Sequence, residues 1–405
     1  MKKRPLQLTA ALVQLFFAAA TGAVDSQTTA RVSEAVERAA VDALPRTAFF
    51  ATDAAIARGE PGTLIRSEEF AGYDLPAEVR ATRILYRSRS ELDHEAVASA
   101  VVIVPTRVAP AGGWPVLIWA HGVTGVAQKC APSLSKSLGP GTQTLVKEGL
   151  SRGFAVVAVD YAGLGAGSQH EYLWKMANAK DIIFAAPAAR AAQPQLASSW
   201  VAMGYSEGGQ AAWGVAEAMA TLHDPSYRGA VALVPTVDTE TLIPRVGAIP
   251  GQSFYPVYAA FGIKAVYPNF DTHSILLPAA VKAYPRLTGQ ECRLVGSAQF
   301  EPLKLPAVLD ARWTAAPLVQ KLLTENQVGR KPIAGPMLVA GADGDDTIPA
   351  QFLAARVKAL CATGAAVDYQ VYPGDHESMM VTSFSDEMSW IMDRFQGRTS
   401  AGNCK

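Results

Sequence analysis

The sequence predicts an α/β fold with a mostly parallel central sheet flanked by helices. Five short apolar runs have the character of strands buried on both faces, and they cover residues 115–120, 154–159, 200–203, 230–234 and 337–340. Helical stretches separate these runs: segment 207–222 is Ala-rich without an internal Pro, and segment 351–361 is flanked by Pro349 and Gly364. Buried strands that alternate with helices are typical of parallel sheets.

Three further segments extend the predicted sheet. Residues 367–372 alternate between apolar and polar positions, which predicts a last strand. Segments 83–88 and 97–104 precede the parallel part. We expect them to be leading strands with antiparallel pairing.

The composition is that of a globular protein. Of 405 residues, 49% are hydrophobic and 18% are charged, which excludes a disordered chain. Lys plus Arg equals Asp plus Glu at 36 each, and no long run of like charge occurs. We therefore expect no nucleic-acid partner and no stable membrane anchoring. A small-molecule or lipid substrate fits this balance, and the composition leaves the oligomeric state open.

The N-terminus has the order of a secretory signal peptide. Residues 1–4 are basic, residues 6–20 are mostly apolar, and small residues follow at 21–23. An uncleaved membrane anchor is the alternative, but the apolar stretch contains Gln7 and Gln14 and is short for a span. We predict cleavage near Ala23 and a secreted or periplasmic protein.

Residues 239–335 break the alternation of strands and helices. This region carries many prolines and aromatics, and it is too long for a plain connection between two consecutive strands. We predict that it is a cap inserted between two parts of one domain, residues 24–238 and 336–405. Six aromatic side chains are expected either to line an acyl pocket beneath this cap or to form the cap's own core: Phe254, Tyr255, Tyr258, Phe261, Tyr267 and Phe270.

A nucleophile motif lies between a predicted strand and a predicted helix. Gly204, Ser206 and Gly208 form a G-x-S-x-G sequence directly after the strand at 200–203. In α/β-hydrolases this motif forms a sharp turn that exposes the serine, and glycines leave room for the tight backbone. The motif in this context predicts an α/β-hydrolase fold with Ser206 as the nucleophile.

A serine nucleophile needs a base that accepts its proton. In this fold the base follows the nucleophile and the acid in the chain. His376 comes just after the last predicted strand, where the base is expected, whereas His273 lies inside the predicted cap. His223 ends the helix after Ser206 and is better explained as a helix-end cation. We therefore predict His376 as the base.

Three aspartates compete for the role of the acid that orients the base. Asp343, Asp345 and Asp346 all lie in the loop after the strand at 337–340. Asp345 stands four residues before Pro349, the usual position of the acid in this fold. Asp345 is the first choice, and the other two stay open as alternatives.

Two backbone N–H groups should stabilise the oxyanion of the tetrahedral intermediate. One is expected from Glu207, the residue after the nucleophile, and the other from the loop after the strand at 115–120. Val123 is the first choice there and Thr124 the second. His121 in the same loop is expected to shape the turn, and loop 160–165 to border the active site. We expect solvated side chains for His94 and His170.

Four cysteines remain: Cys130, Cys292, Cys361 and Cys404. None belongs to a C-x-x-C pair, so the sequence gives no support for a zinc site or any other metal site. An even number of cysteines in an exported chain predicts two disulfides, and four cysteines allow three pairings.

The motifs together resemble the secretory lipases of the fungal lipase A type. The resemblance spans about Thr82 to Cys404 and rests on residues 119–122, 130–133, 160–165 and 204–213 and on the Asp345 and His376 loops. It implies carboxylic ester hydrolysis, a cap before the acid-bearing strand, no cofactor, and a triad of Ser206, Asp345 and His376. It also implies the disulfides Cys130–Cys292 and Cys361–Cys404. One departure is Gly344, which takes the acid's place if the loop is aligned on Gly341.

Two other functions remain compatible with these motifs. A serine peptidase or an acyltransferase would use the same acyl-enzyme with a different acceptor. A non-catalytic binding module on a hydrolase fold is the third possibility. Such modules usually lack a member of the triad, whereas this sequence has a residue for each role.

Overall fold

The computed structural model describes residues 26–404, so the predicted signal peptide at 1–23 lies outside the described residues. One nine-stranded sheet organises this part of the chain, with the strand order β1-β2-β3-β5-β4-β6-β7-β8-β9. The strands are β1 Leu64–Glu69, β2 Val79–Arg89, β3 Glu95–Pro105, β4 Trp114–Ala120, β5 Ala155–Asp160, β6 Leu196–Tyr205, β7 Tyr227–Leu233, β8 Met337–Ala342 and β9 Val367–Tyr372.

The sheet is antiparallel at its first edge and parallel elsewhere. Strands β1, β2 and β3 pair antiparallel, β3 pairs antiparallel with β5, and the strands from β5 through β4 to β9 are parallel. Every residue of β5 and of β8 is buried, as expected for strands that are covered on both faces. This arrangement confirms the predicted fold class.

Helices cover both faces of the sheet. Apolar side chains of α4, α5 and α11 join the core cluster on one face, and side chains of α3 and α13 join the cluster on the other. The helices outside the β7–β8 connection are α1 Ser26–Asp42, α2 Ala54–Ala57, α3 Thr142–Arg152, α4 Lys175–Ala192, α5 Glu207–Leu222, α11 Ala350–Cys361, α12 Met379–Thr382 and α13 Phe384–Phe395.

The connection between β7 and β8 is helical. Its helices are α6 Thr239–Ala248, α7 Tyr255–Val266, α8 Pro278–Gly289, α9 Arg293–Phe300 and α10 Pro317–Glu325. Their apolar side chains form a third core cluster, which also includes Val126 and Tyr172 from the sheet domain. We refer to α6–α10 and the loops between them as the helical insertion.

Two disulfides join distant parts of the chain. Cys130 is bonded to Cys292, so the loop after β4 is tied to the helical insertion. Cys361, at the end of α11, is bonded to Cys404 near the C-terminus. No helix within residues 26–404 is both long and apolar enough to cross a bilayer.

Candidate active site

Ser206 lies in a tight turn between β6 and α5. Its φ of 56° and ψ of −111° are unusual for a residue with a side chain. The flanking glycines explain how the turn fits. A Cβ atom at Gly204 would lie 2.0 Å from the carbonyl oxygen of Gly208, and one at Gly208 would lie 2.0 Å from that of Ala120. The elbow therefore requires glycine at both positions.

His376 and Asp345 complete a hydrogen-bonded chain with Ser206. The Nε2 atom of His376 is 3.0 Å from Ser206 Oγ, and its Nδ1 atom is 2.7 Å from Asp345 Oδ2. The three residues follow β6, β8 and β9, whose carboxyl ends meet at one edge of the parallel part of the sheet. The structure thus brings together the three residues that the sequence proposes as a triad.

The loop after β8 distinguishes Asp345 from its two neighbours. The Asp345 side chain is fully buried, and its Oδ1 accepts backbone N–H groups from Thr347 and Ile348 at 2.8 and 2.7 Å. Asp343 instead accepts the N–H of Gly374, and the side chain of Asp346 is 91% exposed. Of the three aspartates, only Asp345 contacts the His376 ring.

Gly344 belongs to the packing of this loop. A Cβ atom at Gly344 would lie 2.9 Å from the carbonyl oxygen of Gly374. Because that oxygen accepts the Gly344 N–H, the two loops run side by side without space for a side chain. The departure from the lipase pattern at Gly344 therefore reflects close contact between the acid loop and the base loop.

The two predicted oxyanion donors lie beside Ser206. Glu207 is the first residue of α5, and Val123 lines the cavity next to Ser206. Among the described residues, neither backbone N–H has a hydrogen-bond acceptor, so both are free to bind one. Thr124 is less suited, because it does not line the cavity, whereas Val123 does.

A cavity of about 50 Å³ adjoins Ser206. Aliphatic side chains of α6 supply much of its wall, together with residues from the sheet domain. The lining residues are Val123, Tyr172, Leu173, Ser206, Thr236, Thr239, Leu242, Ile243, Val246, Tyr255, Thr347 and Ile348.

Of the two alternatives expected for the six aromatics of the insertion, lining this cavity holds for one residue. Only Tyr255 reaches it. The other aromatics belong to the core cluster of the helical insertion or pack against it, with Tyr258 and Phe254 almost fully buried. They form the insertion's own core, which was the alternative.

A buried polar cluster lies behind the elbow. The Glu207 side chain is 2% exposed, and its Oε1 is 3.0 Å from His170 Nε2 and 3.2 Å from Asn178 Nδ2. His121 is also buried, and the loss of hydration lowers the pKa of its imidazole to about 4. The expectation of a solvated His170 is therefore wrong. Its side chain is buried and contacts the Glu207 carboxylate.

The remaining predicted polar residues lie elsewhere. His273 is exposed and contacts Asp271, and His223 is the residue at which α5 ends in a left-handed conformation. Within the described residues, no three His, Cys, Asp or Glu side chains lie close enough together to bind a metal ion.

Comparison with known proteins relates this architecture to solved structures. The prolyl oligopeptidase family matches residues 142–245, the segment that contains the elbow. Candida antarctica lipase A in its closed state superposes with a TM-score of 0.74 at 19% identity, covering 88% of this chain and 88% of that chain. The chain has an α/β-hydrolase fold.

Two further proteins resemble this chain. The rice cell wall degrading esterase LipA from Xanthomonas oryzae, in a ligand-bound form, superposes with a TM-score of 0.70 at 19% identity, covering 84% of this chain and 100% of that chain. A probable inactive lipase of Mycobacterium tuberculosis is 26% identical over 381 residues, which cover 86% of this chain and 82% of the relative. These likenesses confirm the resemblance to proteins of the lipase A type.

Proposed function

We propose that the protein is a secreted serine carboxylic ester hydrolase, an esterase or lipase that forms an acyl-enzyme on Ser206. The observation that carries this proposal is the continuous chain of hydrogen bonds from Ser206 Oγ through His376 to the buried Asp345. A serine hydroxyl becomes a strong nucleophile when a base is in contact with it and an acid orients that base.

The reaction begins when Ser206 Oγ attacks the ester carbonyl carbon and its proton passes to His376 Nε2. The carbonyl oxygen becomes an oxyanion that accepts the N–H groups of Glu207 and Val123. The tetrahedral intermediate then expels the alcohol, which takes the proton from His376. Water attacks the acyl-enzyme by the same steps in reverse and releases the carboxylic acid and free Ser206. Asp345 stabilises the charged imidazole ring throughout.

The cavity beside Ser206 favours a short acyl group. Its volume of about 50 Å³ has room for roughly four groups of the size of water or methylene. Leu242, Ile243 and Val246 make its wall mostly aliphatic. The helical insertion thus acts as the cap over the site, and it recognises the acyl group through α6.

Export is part of this proposal. Two disulfides suit an oxidising compartment, and the predicted signal peptide would direct the chain there. The proposed location is therefore the periplasm or the extracellular space.

A serine peptidase is the second candidate, because the prolyl oligopeptidase family matches the segment around the elbow. The small aliphatic cavity favours an ester with a short acyl group over a peptide. The third candidate is a protein without catalytic activity, because the mycobacterial relative is described as a probable inactive lipase. Against it stands the complete hydrogen-bonded triad in this chain.

The deciding experiment compares the mature protein with its Ser206→Ala variant. Hydrolysis of p-nitrophenyl acyl esters should fall by at least about 10⁴-fold in the variant. A fluorophosphonate should label Ser206 in the wild type and no residue in the variant. Hydrolysis of aminoacyl-nitroanilides at a rate above that of esters would favour the peptidase, and an active Ser206→Ala variant would refute the proposed nucleophile.

A further inference from the structure

The two proposed oxyanion donors, Glu207 and Val123, lie on different elements and need a common support. Glu207 begins α5, whereas Val123 follows β4. Useful donors must lie 2.7–3.1 Å from the oxyanion, so their separation matters to a fraction of an ångström. The segment that follows β5 contacts both donor sites: it reaches the Glu207 side chain and the backbone of the loop after β4.

His170 contacts the first donor's residue. Its Nε2 atom is 3.0 Å from Glu207 Oε1, and both side chains are at most 2% exposed. Asn178 of α4 donates to the same carboxylate oxygen at 3.2 Å. The Glu207 side chain is therefore held from behind while its backbone N–H stays free beside Ser206.

Tyr161 contacts the loop of the second donor. Its hydroxyl donates to the carbonyl oxygen of His121 at 2.8 Å, and His121 lies two residues before Val123. The Tyr161 and His121 rings also pack against each other with centroids 4.6 Å apart. Tyr161 is fully buried, so this bond is shielded from water.

The two supports are in contact with each other. The rings of Tyr161 and His170 stack at a centroid distance of 5.5 Å and an interplanar angle of 9°. The start of this segment is held in turn, because the N–H of Ala162 donates to the side-chain Oδ2 of the buried Asp181 at 2.7 Å.

We propose that Tyr161 and His170 are positioning residues that hold the two oxyanion donors at their working separation. This inference rests on the proposed ester hydrolase function. Neither side chain touches the reacting atoms: Tyr161 acts through the backbone at His121, and His170 acts through the Glu207 carboxylate. Displacing a donor weakens stabilisation of the transition state but leaves binding of the uncharged ester almost unchanged.

The first test removes only the Tyr161 hydroxyl. Tyr161→Phe keeps the ring and its stacking, and we expect kcat to fall about tenfold with KM within about twofold of the wild type. Affinity for a trifluoromethyl ketone, which forms an oxyanion on the nucleophile, should fall by the same factor as kcat. Tyr227→Phe is the matched control, since Tyr227 is a buried tyrosine of β7 whose hydroxyl has no partner among the described residues.

The second test uses two substitutions of His170. Gln can present an amide N–H where the imidazole Nε2 lies, whereas Leu cannot. His170→Leu should therefore lose more kcat and more ketone affinity than His170→Gln, again with little change in KM. If His170→Leu does not fold, the Tyr161→Phe comparison decides alone.

The outcomes separate this inference from the proposed function. A wild-type protein that neither hydrolyses esters nor reacts with the fluorophosphonate refutes the proposed function and the inference with it. An active wild type whose Tyr161→Phe and His170→Leu variants lose thermal stability but keep kcat and ketone affinity refutes only the positioning role. Equal losses in Tyr161→Phe and Tyr227→Phe would also refute it.

Discussion

The hydroxyl of Tyr205 donates to the backbone carbonyl oxygen of His376 at 2.9 Å, and the two rings pack with centroids 5.1 Å apart. The residue before the proposed nucleophile thus holds the residue proposed as its base. This contact joins the end of β6 to the loop after β9.

Tyr205→Phe should lower kcat about three- to tenfold, because a hydrogen bond of this kind contributes about 1 kcal/mol to holding the His376 loop. Steady-state kinetics with a short p-nitrophenyl ester would measure this loss of kcat. Tyr369→Phe is the control, since the Tyr369 hydroxyl also donates to a backbone carbonyl, that of Ala350, without contacting the base. An equal loss in both variants would contradict a specific role for Tyr205.

The acid loop offers a comparison of three adjacent carboxylates. Asp345→Asn should lower kcat by about 10⁴-fold, because the amide no longer favours the correct imidazole tautomer. Asp346→Asn should have little effect, since its side chain is almost fully exposed. Asp343→Asn should also cost little, because an amide oxygen can still accept the Gly374 N–H. A largest loss at Asp343 would show that the acid was assigned to the wrong residue.

Chain-length preference should depend on α6 and not on the aromatic core of the insertion. Ile243→Ala removes three carbons from the cavity wall, so the preferred acyl chain should lengthen by about two or three carbons. Phe254→Ala should lower the free energy of unfolding by about 3–5 kcal/mol and leave the preference unchanged. An acyl series from acetate to palmitate, with thermal unfolding of each variant, checks both results.

Stability should fall as the pH rises from 6.5 to 8. Burial raises the pKa of Glu387 to about 8, and it raises the pKa values of Asp181 and Glu171 to about 7. In this range the unfolded chain ionises these carboxyls while the folded chain keeps protons on them, so unfolding releases protons and becomes easier at higher pH. The opposite contribution of His121, whose pKa is lowered, ends at about pH 6.5.

Urea unfolding at pH 6.5 and pH 8 measures this decline, which we expect to be at least about 1 kcal/mol. Glu387→Gln should make the pH dependence shallower, because it removes the carboxyl with the highest of these three pKa values. Glu37→Gln, on the exposed side of α1, should leave the pH dependence as it is. A wild type that gains stability over this range would contradict the assignment.

Local patterns predicted the elbow and eight of the nine strands, but not the edge strand β1 at Leu64–Glu69. Uniformly apolar runs such as the one in β5 indicate strands buried on both faces, and two glycines around Ser206 indicate a tight turn. β6 was predicted too short, because its first half contains the exposed Ser198 and its register with β4 is irregular between Leu196 and Trp200.

The cavity wall and the buried polar cluster could not be predicted in this way. His170 is far from Glu207 in sequence, and only the packing of the segment after β5 beneath α5 brings them together. Phe254 and Ile243 are both apolar in sequence, and only the packing of the fold decides which of them lines the cavity beside Ser206. The sequence offered one signal for the buried polar cluster. His121 follows β4, and Tyr161 and His170 follow β5, and the carboxyl ends of these two strands meet at one edge of the sheet.

The bond between Cys130 and Cys292 has a consequence for how the protein should be produced. Gly125 packs so tightly on this bond that a Cβ atom there would lie 2.7 Å from Cys130 Sγ. Arg293, the next residue after Cys292, donates its N–H to Thr124 at 2.7 Å, so the crosslink lies only a few residues from Val123. Material expressed in a reducing cytoplasm would lack this crosslink beside the proposed catalytic centre. A recombinant preparation of full specific activity therefore calls for oxidative folding.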